Sequence, residues 1–341
     1  MQEIYIGANE AGQRLDKLLG KVLKEAPKSF YYKMLRKKNI TLNGKKADGS
    51  ERLAAGDVVR MFFSEETYAR FTGENENYQK GIQKVTKKVH NLTPIDILYE
   101  DEHVLFLNKP AGILSQKARP EDVSVVEQLI AYELDKGQAT PQSLKTFRPS
   151  VCNRLDRNTS GIVVAGVSLT GLQVMSEMLK NRTMHKYYLC LVRGEVREKQ
   201  RISGYLTKDE QTNQVRVTTR PLSSQSQAIE TEYEPVVGNQ FATLLRVLLI
   251  TGRSHQIRAH LASVGHPLIG DTKYGSEKVN RIYRERYGLS HQLLHSCRLE
   301  LPVIEGKLSY LSGKVIEAPL PEQFTRILEE EMGWRPGIQE G

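Results

Sequence analysis

The stretch Cys152-Asn153-Arg154-Leu155-Asp156-Arg157-Asn158-Thr159-Ser160-Gly161 leads directly into the apolar run Ile162-Val163-Val164-Ala165-Gly166. An apolar run of this length is typical of a buried β-strand. A carboxylate that stands between two arginines at the start of such a strand lies close to a low-dielectric interior, where its charge needs a partner. The stretch therefore predicts a core strand with a functional carboxylate, Asp156, at its entrance. Taken alone, Asp156 could also be a turn residue, because its neighbours are turn formers.

The chain has 341 residues, which is enough for two domains of ordinary size. No apolar run approaches the roughly 18 residues that a membrane helix needs, and Met1-Gln2-Glu3-Ile4 lacks the features of a signal peptide. The cysteines, which lie far apart, are Cys152, Cys190 and Cys297. Their spacing argues against a disulfide framework and a zinc cage, and favours a reducing cytoplasm.

The charge of the chain favours a polyanionic partner. The formal net charge is +9, and residues 1–63 hold 13 Lys and Arg against 7 Asp and Glu. Two thirds of the excess positive charge therefore lies in less than a fifth of the chain. A solvated basic surface without a specific role would not require this concentration, so nucleic acid is the favoured partner.

The first 63 residues show a helix–helix–hairpin pattern. The spacing predicts a helix over 13–26 and a second helix over 30–38, with Ser29 as its N-cap. The second helix ends in Arg36-Lys37-Lys38, and Asn43-Gly44 then predicts a tight hairpin turn. The apolar residues that share one face of the first helix are Leu15, Leu18, Leu19, Val22 and Leu23.

This order, with Arg14-Leu15-Asp16-Lys17 at its start and Asn43-Gly44-Lys45 and Ala55-Gly56-Asp57 later, resembles the alpha-L RNA-binding module over residues 12–62. The resemblance implies that the second helix and its basic end lie against an RNA backbone. Residues 63–92 are polar with few apolar anchors, and are predicted to be a flexible linker. The candidate RNA-binding residues are Arg14, Lys17, Lys28, Arg36, Lys37 and Lys38.

A second domain is predicted over residues 93–332. Its strands and helices mix without a regular βαβ rhythm, so the expected fold class is α+β with a mixed or antiparallel sheet. Ser124, Ser168 and Ser254 are candidate N-caps of three helices, and Glu127 completes a capping box with Ser124. The main predicted strands cover 104–108, 162–166, 186–192 and 241–250, with another beginning at 292.

Four stretches of this domain place charged or aromatic residues at the ends of predicted strands, where functional residues gather on a rigid scaffold. They are Lys109-Pro110-Ala111-Gly112, Arg154-Leu155-Asp156, Lys186-Tyr187-Tyr188 and Gly252-Arg253-Ser254-His255-Gln256-Ile257-Arg258-Ala259-His260. With Thr159-Ser160-Gly161 and Gly265-His266-Pro267-Leu268-Ile269-Gly270-Asp271, they resemble the RluA family of RNA pseudouridine synthases. With the alpha-L module in front, the whole chain resembles the RluC/RluD type within that family, which modifies large-subunit ribosomal RNA.

The resemblance implies a role for each matching residue. Asp156 would be the catalytic carboxylate, and Arg258 would pair with it. Tyr188 would stack on the uracil ring and take part in proton transfer. Leu294 would pack against the base. No cofactor and no metal ion are expected, and the chain is expected to act as a monomer.

Three further basic residues are candidate substrate contacts. Arg154 is expected to reach the RNA near the target base, although it could instead pair with an internal acid. Lys109 is a candidate RNA contact, although it could simply close a strand. Arg253 belongs to the same group because it lies in the Gly252-Arg253-Ser254-His255 stretch.

The chemistry of uridine isomerisation agrees with these residue types. The reaction breaks the N1–C1′ bond, turns the uracil and joins C5 to C1′, so it needs a carboxylate and a base for the C5 proton. It needs no redox cofactor, and no metal ion if the carboxylate acts. The target nucleotide must leave its stack at a cost of a few kcal/mol. An aromatic face such as Tyr188 recovers roughly 1–3 kcal/mol of that cost.

Two positions depart from the family pattern. Asn153 stands where the family usually has a histidine, and Leu114-Ser115-Gln116 stands where a histidine often follows the Lys-Pro-x-Gly turn. Neither position is the proposed catalytic carboxylate, so catalysis is expected to survive both changes. They are expected to affect RNA contacts.

Two other classes of function use the same residues. A catalytically silent RNA-binding or ribosome-assembly factor would have the same charge and modules. A metal-dependent phosphodiesterase would use Asp156, Asp271 and histidines. His255 and His260 are five residues apart, whereas helical zinc pairs prefer four, so the metal reading is disfavoured.

Overall fold

The computed structural model describes residues 1–73, 89, 95–141, 143–209 and 214–336. Two separate sheets organise these residues, a four-stranded sheet near the N-terminus and an eleven-stranded sheet in the rest of the chain. Within these described ranges, no helix is long and apolar enough to cross a membrane.

The N-terminal domain packs helices against an antiparallel sheet. Its elements are β1 (Gln2–Tyr5), α1 (Leu15–Val22), α2 (Lys28–Arg36), β2 (Ile40–Leu42), β3 (Lys45–Lys46), β4 (Val58–Met61) and α3 (Glu65–Thr72). The strands lie in the order β1–β4–β2–β3. The apolar stripe of α1 is buried in this core, which confirms the predicted helix–helix–hairpin arrangement. The domain also begins earlier than predicted, because β1 pairs with β4.

The predicted N-cap of the second helix is wrong. Helix α2 begins at Lys28, and Pro27 occupies the N-cap position with φ −65°. Proline fixes this angle in advance, so it can start the helix ahead of Ser29 without a side-chain cap. The basic end of the helix lies where the sequence predicted it, and Lys38 adopts a left-handed conformation with φ 58°.

The predicted flexible linker is wrong for residues 65–72. These residues form α3, whose N-terminus is capped by the Ser64 hydroxyl, which accepts the backbone N–H of Thr67 at 3.2 Å. Tyr68 is buried, and the ring of Phe71 lies 4.2 Å from the ring of Phe30. Two aromatic residues therefore anchor a segment that its polar composition had marked as unstructured. Most of the remaining linker prediction, residues 74–88 and 90–92, lies outside the described residues.

The second domain is built on one long mixed sheet. Its strands are β5 (Asp96–Glu100), β6 (Val104–Lys109), β7 (Ser150–Val151), β8 (Ser160–Gly166), β9 (His185–Arg193), β10 (Gln200–Asp209), β11 (Gln214–Thr218), β12 (Gln227–Gly238), β13 (Ala242–Leu249), β14 (Leu294–Glu300) and β15 (Val315–Glu317). Its helices are α4 (Val125–Asp135), α5 (Ser143–Thr146), α6 (Leu169–Asn181), α7 (Gln256–Ser263), α8 (Glu277–Tyr287) and α9 (Glu322–Met332), with a 3₁₀-helix at Gly306–Leu311.

The strands of this sheet follow the order β11–β10–β12–β13–β9–β14–β8–β6–β5, with β7 beside β8 and β15 beside β14. Only the β8–β14 pair among these described strands is parallel. The predicted α+β fold with a mixed sheet is therefore confirmed. The Ser124 capping box and the Ser168 cap form as predicted, but the N-cap of α7 is His255 rather than Ser254.

The parallel β8–β14 pair brings the entrance of the core strand next to the start of β14. Gly161 has φ +108°, and a Cβ atom there would collide with the main chain of Ser296. The Ser160 hydroxyl lies 2.9 Å from Nδ1 of His295 across the same pair. Glycine is therefore required at residue 161, because the two backbones approach too closely for a side chain.

We expect Gly161→Ala to lower the free energy of unfolding by about 3 kcal/mol, since it adds both a disfavoured φ and an overpacked contact. Urea unfolding would measure the loss. Gly265→Ala is the matched control, because Gly265 has φ +92° but no atom within 4 Å of an added Cβ. Equal losses in the two variants would contradict the close-approach explanation.

Candidate active site

Asp156 lies in the loop that enters β8, and its side chain is 25% exposed. Nη1 of Arg258 donates a hydrogen bond to its Oδ2 at 2.8 Å. Arg258 comes from the first turns of α7 and is buried. The structure thus brings together the predicted carboxylate and its predicted counter-charge, which lie 102 residues apart in the sequence.

The same guanidinium is held by a second carboxylate. Nε and Nη2 of Arg258 donate to Oδ2 and Oδ1 of Asp271 at 2.7 and 2.9 Å. Burial opposes ionisation of Asp271, but the hydrogen bonds and charge of Arg258 outweigh it and keep the Asp271 pKa below its ordinary value. Bidentate pairing of this kind fixes the plane of an arginine. Asp271 therefore orients the guanidinium edge that faces Asp156.

A hydrogen-bond chain approaches Asp156 from another side. The Tyr274 hydroxyl accepts the backbone N–H of Val215 at 2.9 Å and lies 2.9 Å from Nδ1 of His255. When Tyr274 donates its proton to Nδ1, the hydrogen of the neutral ring sits on Nε2. That atom lies 4.0 Å from Oδ2 of Asp156. Burial lowers the pKa of His255, against the opposing charge of Asp156, which favours this neutral ring.

Two side chains at the unusual positions hold the Asp156 loop. The Ser115 hydroxyl donates to the Leu155 carbonyl and accepts its N–H, both at 3.0 Å. Asn153 accepts the N–H of Val164 at 2.7 Å and donates to the Ile162 carbonyl at 3.3 Å. Asn153 thus pairs with β8 as a backbone segment would. Ser115 thus bonds to the main chain next to Asp156 and Asn153 bonds to β8, while the expected effect of both departures on RNA contacts stays a prediction.

Lys109 is not placed to contact RNA, which contradicts the predicted substrate contact. It is completely buried, and its Nζ donates to the carbonyls of Pro110, Ile113 and Arg157 at 2.8–2.9 Å. Burial lowers the pKa of Lys109 to about 7, whereas the charge of Asp156 acts in the opposite direction. Only an ammonium supplies the three protons that these carbonyls receive, so the geometry favours the charged form.

Tyr188 and Leu294 belong to the same core cluster as Leu155, which precedes Asp156. Both side chains are buried. Burial raises the pKa of Tyr188 to about 12, against the effect of a hydrogen bond with Ser296, so the phenol is protonated at neutral pH.

The other predicted substrate contacts lie at the surface. Arg154 and Arg253 are exposed, and neither pairs with a carboxylate among the residues that the structure describes. For Arg154, this placement favours RNA contact over the alternative of an internal acid. Arg253 precedes α7, where its backbone N–H donates to Oε1 of Gln256 at 3.0 Å.

The predicted RNA-binding residues lie on the surface of the N-terminal domain. Lys17, Lys28, Arg36, Lys37 and Lys38 are all exposed. Arg14 differs from them because its Nε and Nη2 donate to the two carboxylate oxygens of Asp16 at 3.1 and 2.9 Å.

The sequence did not identify the residues that surround Asp156 and Arg258. Asp271 had been considered only as a possible metal ligand, and the roles of Tyr274 and His255 were not foreseen. A buried arginine needs carboxylate partners, and Asp271 ends a motif already singled out, so this signal was available. Within the described ranges, no group of three or more His, Cys, Asp or Glu side chains could hold a metal ion.

Comparison with known proteins identifies both domains. A family described as RNA pseudouridylate synthase matches residues 103–263, and the S4 domain family matches residues 13–59. The solved structure of human RNA Pseudouridylate Synthase Domain Containing 4 shares the fold with a TM-score of 0.55 and 20% identity, covering 74% of this chain and 97% of that chain.

Two curated relatives match almost the whole chain, and both are named ribosomal large subunit pseudouridine synthase C. The protein from Escherichia coli strain K12 is 32% identical over 96% of this chain and 95% of its own length. The protein from Vibrio vulnificus strain CMCP6 is 30% identical over 96% of each chain. The chain therefore belongs to the RluA family of RNA pseudouridine synthases, and it carries an N-terminal S4 domain.

We expect Lys109→Met to lower the free energy of unfolding by at least about 2 kcal/mol, because each buried carbonyl left without a donor costs roughly 1–3 kcal/mol. Conversion of uridine to pseudouridine should also fall, since Lys109 holds the loop that carries Asp156. Urea unfolding and a conversion assay on the same samples would measure both effects.

Lys307→Met is the control for the loss of charge, because Lys307 is exposed. If Lys109→Met does not fold, Ser115→Ala removes the two hydrogen bonds to Leu155 and loosens the same loop. Wild-type stability and activity in both loop variants would contradict the holding role.

Proposed function

We propose that this chain converts uridines to pseudouridines in large-subunit ribosomal RNA, with Asp156 as the catalytic carboxylate. The observation that carries the assignment of Asp156 is its hydrogen bond of 2.8 Å to Arg258, whose other edge is held by Asp271. The names of the relatives support large-subunit ribosomal RNA as the substrate. The basic charge of the N-terminal domain supports RNA as the substrate, but it does not distinguish ribosomal RNA from other RNA.

Arg258 gives Asp156 two properties that the reaction needs. A buried cation lies beside one oxygen of the carboxylate, and a guanidinium fixed by a second partner aims that oxygen in a defined direction. Asp156 is also more exposed than Asp271, whose side chain is fully buried. We therefore assign the chemistry to Asp156 and the positioning of Arg258 to Asp271.

The reaction is balanced within the nucleotide itself. Asp156 assists cleavage of the N1–C1′ bond, the uracil turns, and C5 bonds to C1′. The proton that leaves C5 is matched by the proton that N1 of the product carries, so no redox cofactor is required. That the reaction requires no metal ion and that the enzyme is a monomer stay predictions. A ribosomal substrate would place the enzyme in the cytoplasm of a bacterium.

Tyr188 and Leu294 are assigned to holding the uracil during this rotation. Base–aromatic stacking is worth roughly 1–3 kcal/mol, which offsets much of the cost of unstacking the target. With a pKa of about 12, Tyr188 accepts the C5 proton only after it gives up its own. Stacking is therefore its primary proposed role.

We expect Asp156→Asn to reduce conversion by on the order of 10³-fold or more, while RNA affinity changes little, because the amide keeps the shape but loses the charge that acts in the reaction. Single-turnover conversion of a large-subunit RNA fragment and a separate binding measurement would test this. Wild-type conversion by Asp156→Asn would favour the catalytically silent RNA-binding factor.

Tyr188→Phe and Tyr188→Leu form a matched pair in the same assay. Both remove the hydroxyl, but only Tyr188→Phe keeps a stacking ring. We expect the leucine variant alone to lose affinity for the target, and equal affinities would contradict the stacking role.

A chelator should leave wild-type conversion unchanged, whereas chelator-sensitive strand cleavage would favour the phosphodiesterase.

For the N-terminal domain, we expect Lys37→Gln combined with Lys38→Gln to weaken RNA binding and to reduce the slope of log affinity against log salt by about 1–2, since each lost phosphate contact removes about 0.7–0.9. Binding titrations at several salt concentrations would measure the slope. Lys278→Gln with Lys307→Gln removes the same charge from exposed positions of the second domain. An equal change in both pairs would contradict a specific RNA surface at the end of α2.

A further inference from the structure

Lys186 is a cation of the second domain that the proposed chemistry does not use. It lies on β9 two residues before Tyr188, so the two side chains stand on the same face of the strand. Residues i and i+2 of a strand are about 7 Å apart. Lys186 is therefore a direct neighbour of the residue that is proposed to stack on the uracil.

The ammonium of Lys186 reaches the segment that joins β13 to α7. Apart from the chain neighbours of Gly252, Nζ of Lys186 is the atom nearest to the place that a Cβ of residue 252 would occupy, at 3.3 Å. Gly252 and Arg253 are both exposed, whereas Lys186 is partly buried. Because Gly252 has no side chain, the segment does not cover the ammonium, and a ligand at the surface can approach it from this side.

Lys186 has a cation but no anion near it in the described part of the chain. Its Nζ forms no hydrogen bond and no ion pair there, and the charge that acts on it is that of Arg182. Burial lowers the pKa of Lys186, and the charge of Arg182 acts in the same direction. Lys109 shows the opposite case, since its Nζ donates to three carbonyls. A partly buried ammonium without an acceptor is unfavourable, so a ligand that supplies one would stabilise it.

A phosphate suits this position better than the uracil ring does. Arg182 and Arg253 are exposed, and neither guanidinium pairs with a carboxylate among the residues that the structure describes. A uracil carbonyl would accept a hydrogen bond from Lys186, but it is neutral and would leave the repulsion between Lys186 and Arg182 in place. A phosphate supplies acceptor oxygens together with a negative charge, and the RNA backbone carries these charges along its whole length.

We propose that Lys186 binds a backbone phosphate of the RNA next to the uridine that is modified, with Arg182 adding to the positive field at that phosphate. The proposal rests on the proposed function for its RNA. It adds a phosphate site close to Tyr188 to the basic surface of the N-terminal domain. A phosphate held at Lys186 would fix the backbone from which the target base leaves its stack, and Lys186 takes no part in the bond rearrangement.

The first test is Lys186→Met in the full-length chain, which removes the charge and keeps the length of the side chain. We expect affinity for a large-subunit RNA fragment to fall about tenfold near physiological salt, because a charge-assisted hydrogen bond is lost. The slope of log affinity against log salt should fall by about 0.7–0.9. Lys186→Arg keeps the charge and should keep most of the affinity.

Two controls separate phosphate binding from other effects of the substitution. Lys307→Met removes an exposed lysine of the same domain and should change the affinity much less. In urea unfolding, Lys186→Met should be at least as stable as the wild type, because it gives up no described partner, whereas Lys109→Met should be less stable. Wild-type affinity in a folded Lys186→Met, or a loss of stability as large as that of Lys109→Met, would overturn the proposal.

The position of the phosphate is tested with RNA in which one phosphate beside the mapped target uridine is a neutral methylphosphonate. We expect this change at one of the two flanking positions to weaken wild-type binding about tenfold and to weaken binding by Lys186→Met much less, because both changes remove the same contact. Equal losses for the two proteins at both positions would overturn the proposal and favour contact with the uracil. Failure of the proposed function is distinct, since the wild-type enzyme would then convert no uridine in this RNA, whatever the affinity of Lys186→Met.

Discussion

One buried guanidinium determines the site. Arg258 donates to Asp271 through Nε and Nη2 and to Asp156 through Nη1, so a single cation serves two carboxylates. A buried charge is costly unless it is paired and fully hydrogen-bonded. Asp271 also receives the backbone N–H groups of Lys273 and Tyr274, so fixed donors surround its carboxylate, whereas Asp156 reaches solvent.

The fold serves this cluster by bringing distant segments to the entrance of β8. The parallel pairing of β8 with β14 requires Gly161, and it places Leu294 next to the core that contains Tyr188. Ser115 and Lys109 then fix the loop around Asp156 through main-chain hydrogen bonds. The scaffold is therefore polar where it holds the loop and apolar where the uracil is proposed to lie.

Much of this could be predicted from the sequence, because local patterns carry it. The apolar runs predicted the core strands, and the family resemblance implied the pairing of Asp156 with Arg258. The sequence could not show which residues are buried or which residues from distant parts of the chain they contact. Lys109 carries the same charge as a surface lysine, yet it is wholly enclosed by three carbonyls. For the same reason the sequence could not explain Asn153, since this residue hydrogen-bonds to the main chain of β8 and not to a sequence neighbour.

Exposed and buried charges in this chain respond differently to salt. The basic residues on the surface of the N-terminal domain face water, where salt screens interactions beyond about 8–10 Å. The pair between Arg258 and Asp271 is buried and is screened much less. Salt therefore acts on how strongly RNA is held while it leaves the geometry around Asp156 intact. Affinity and chemistry can consequently be varied separately in this enzyme, because they depend on residues in different dielectric surroundings.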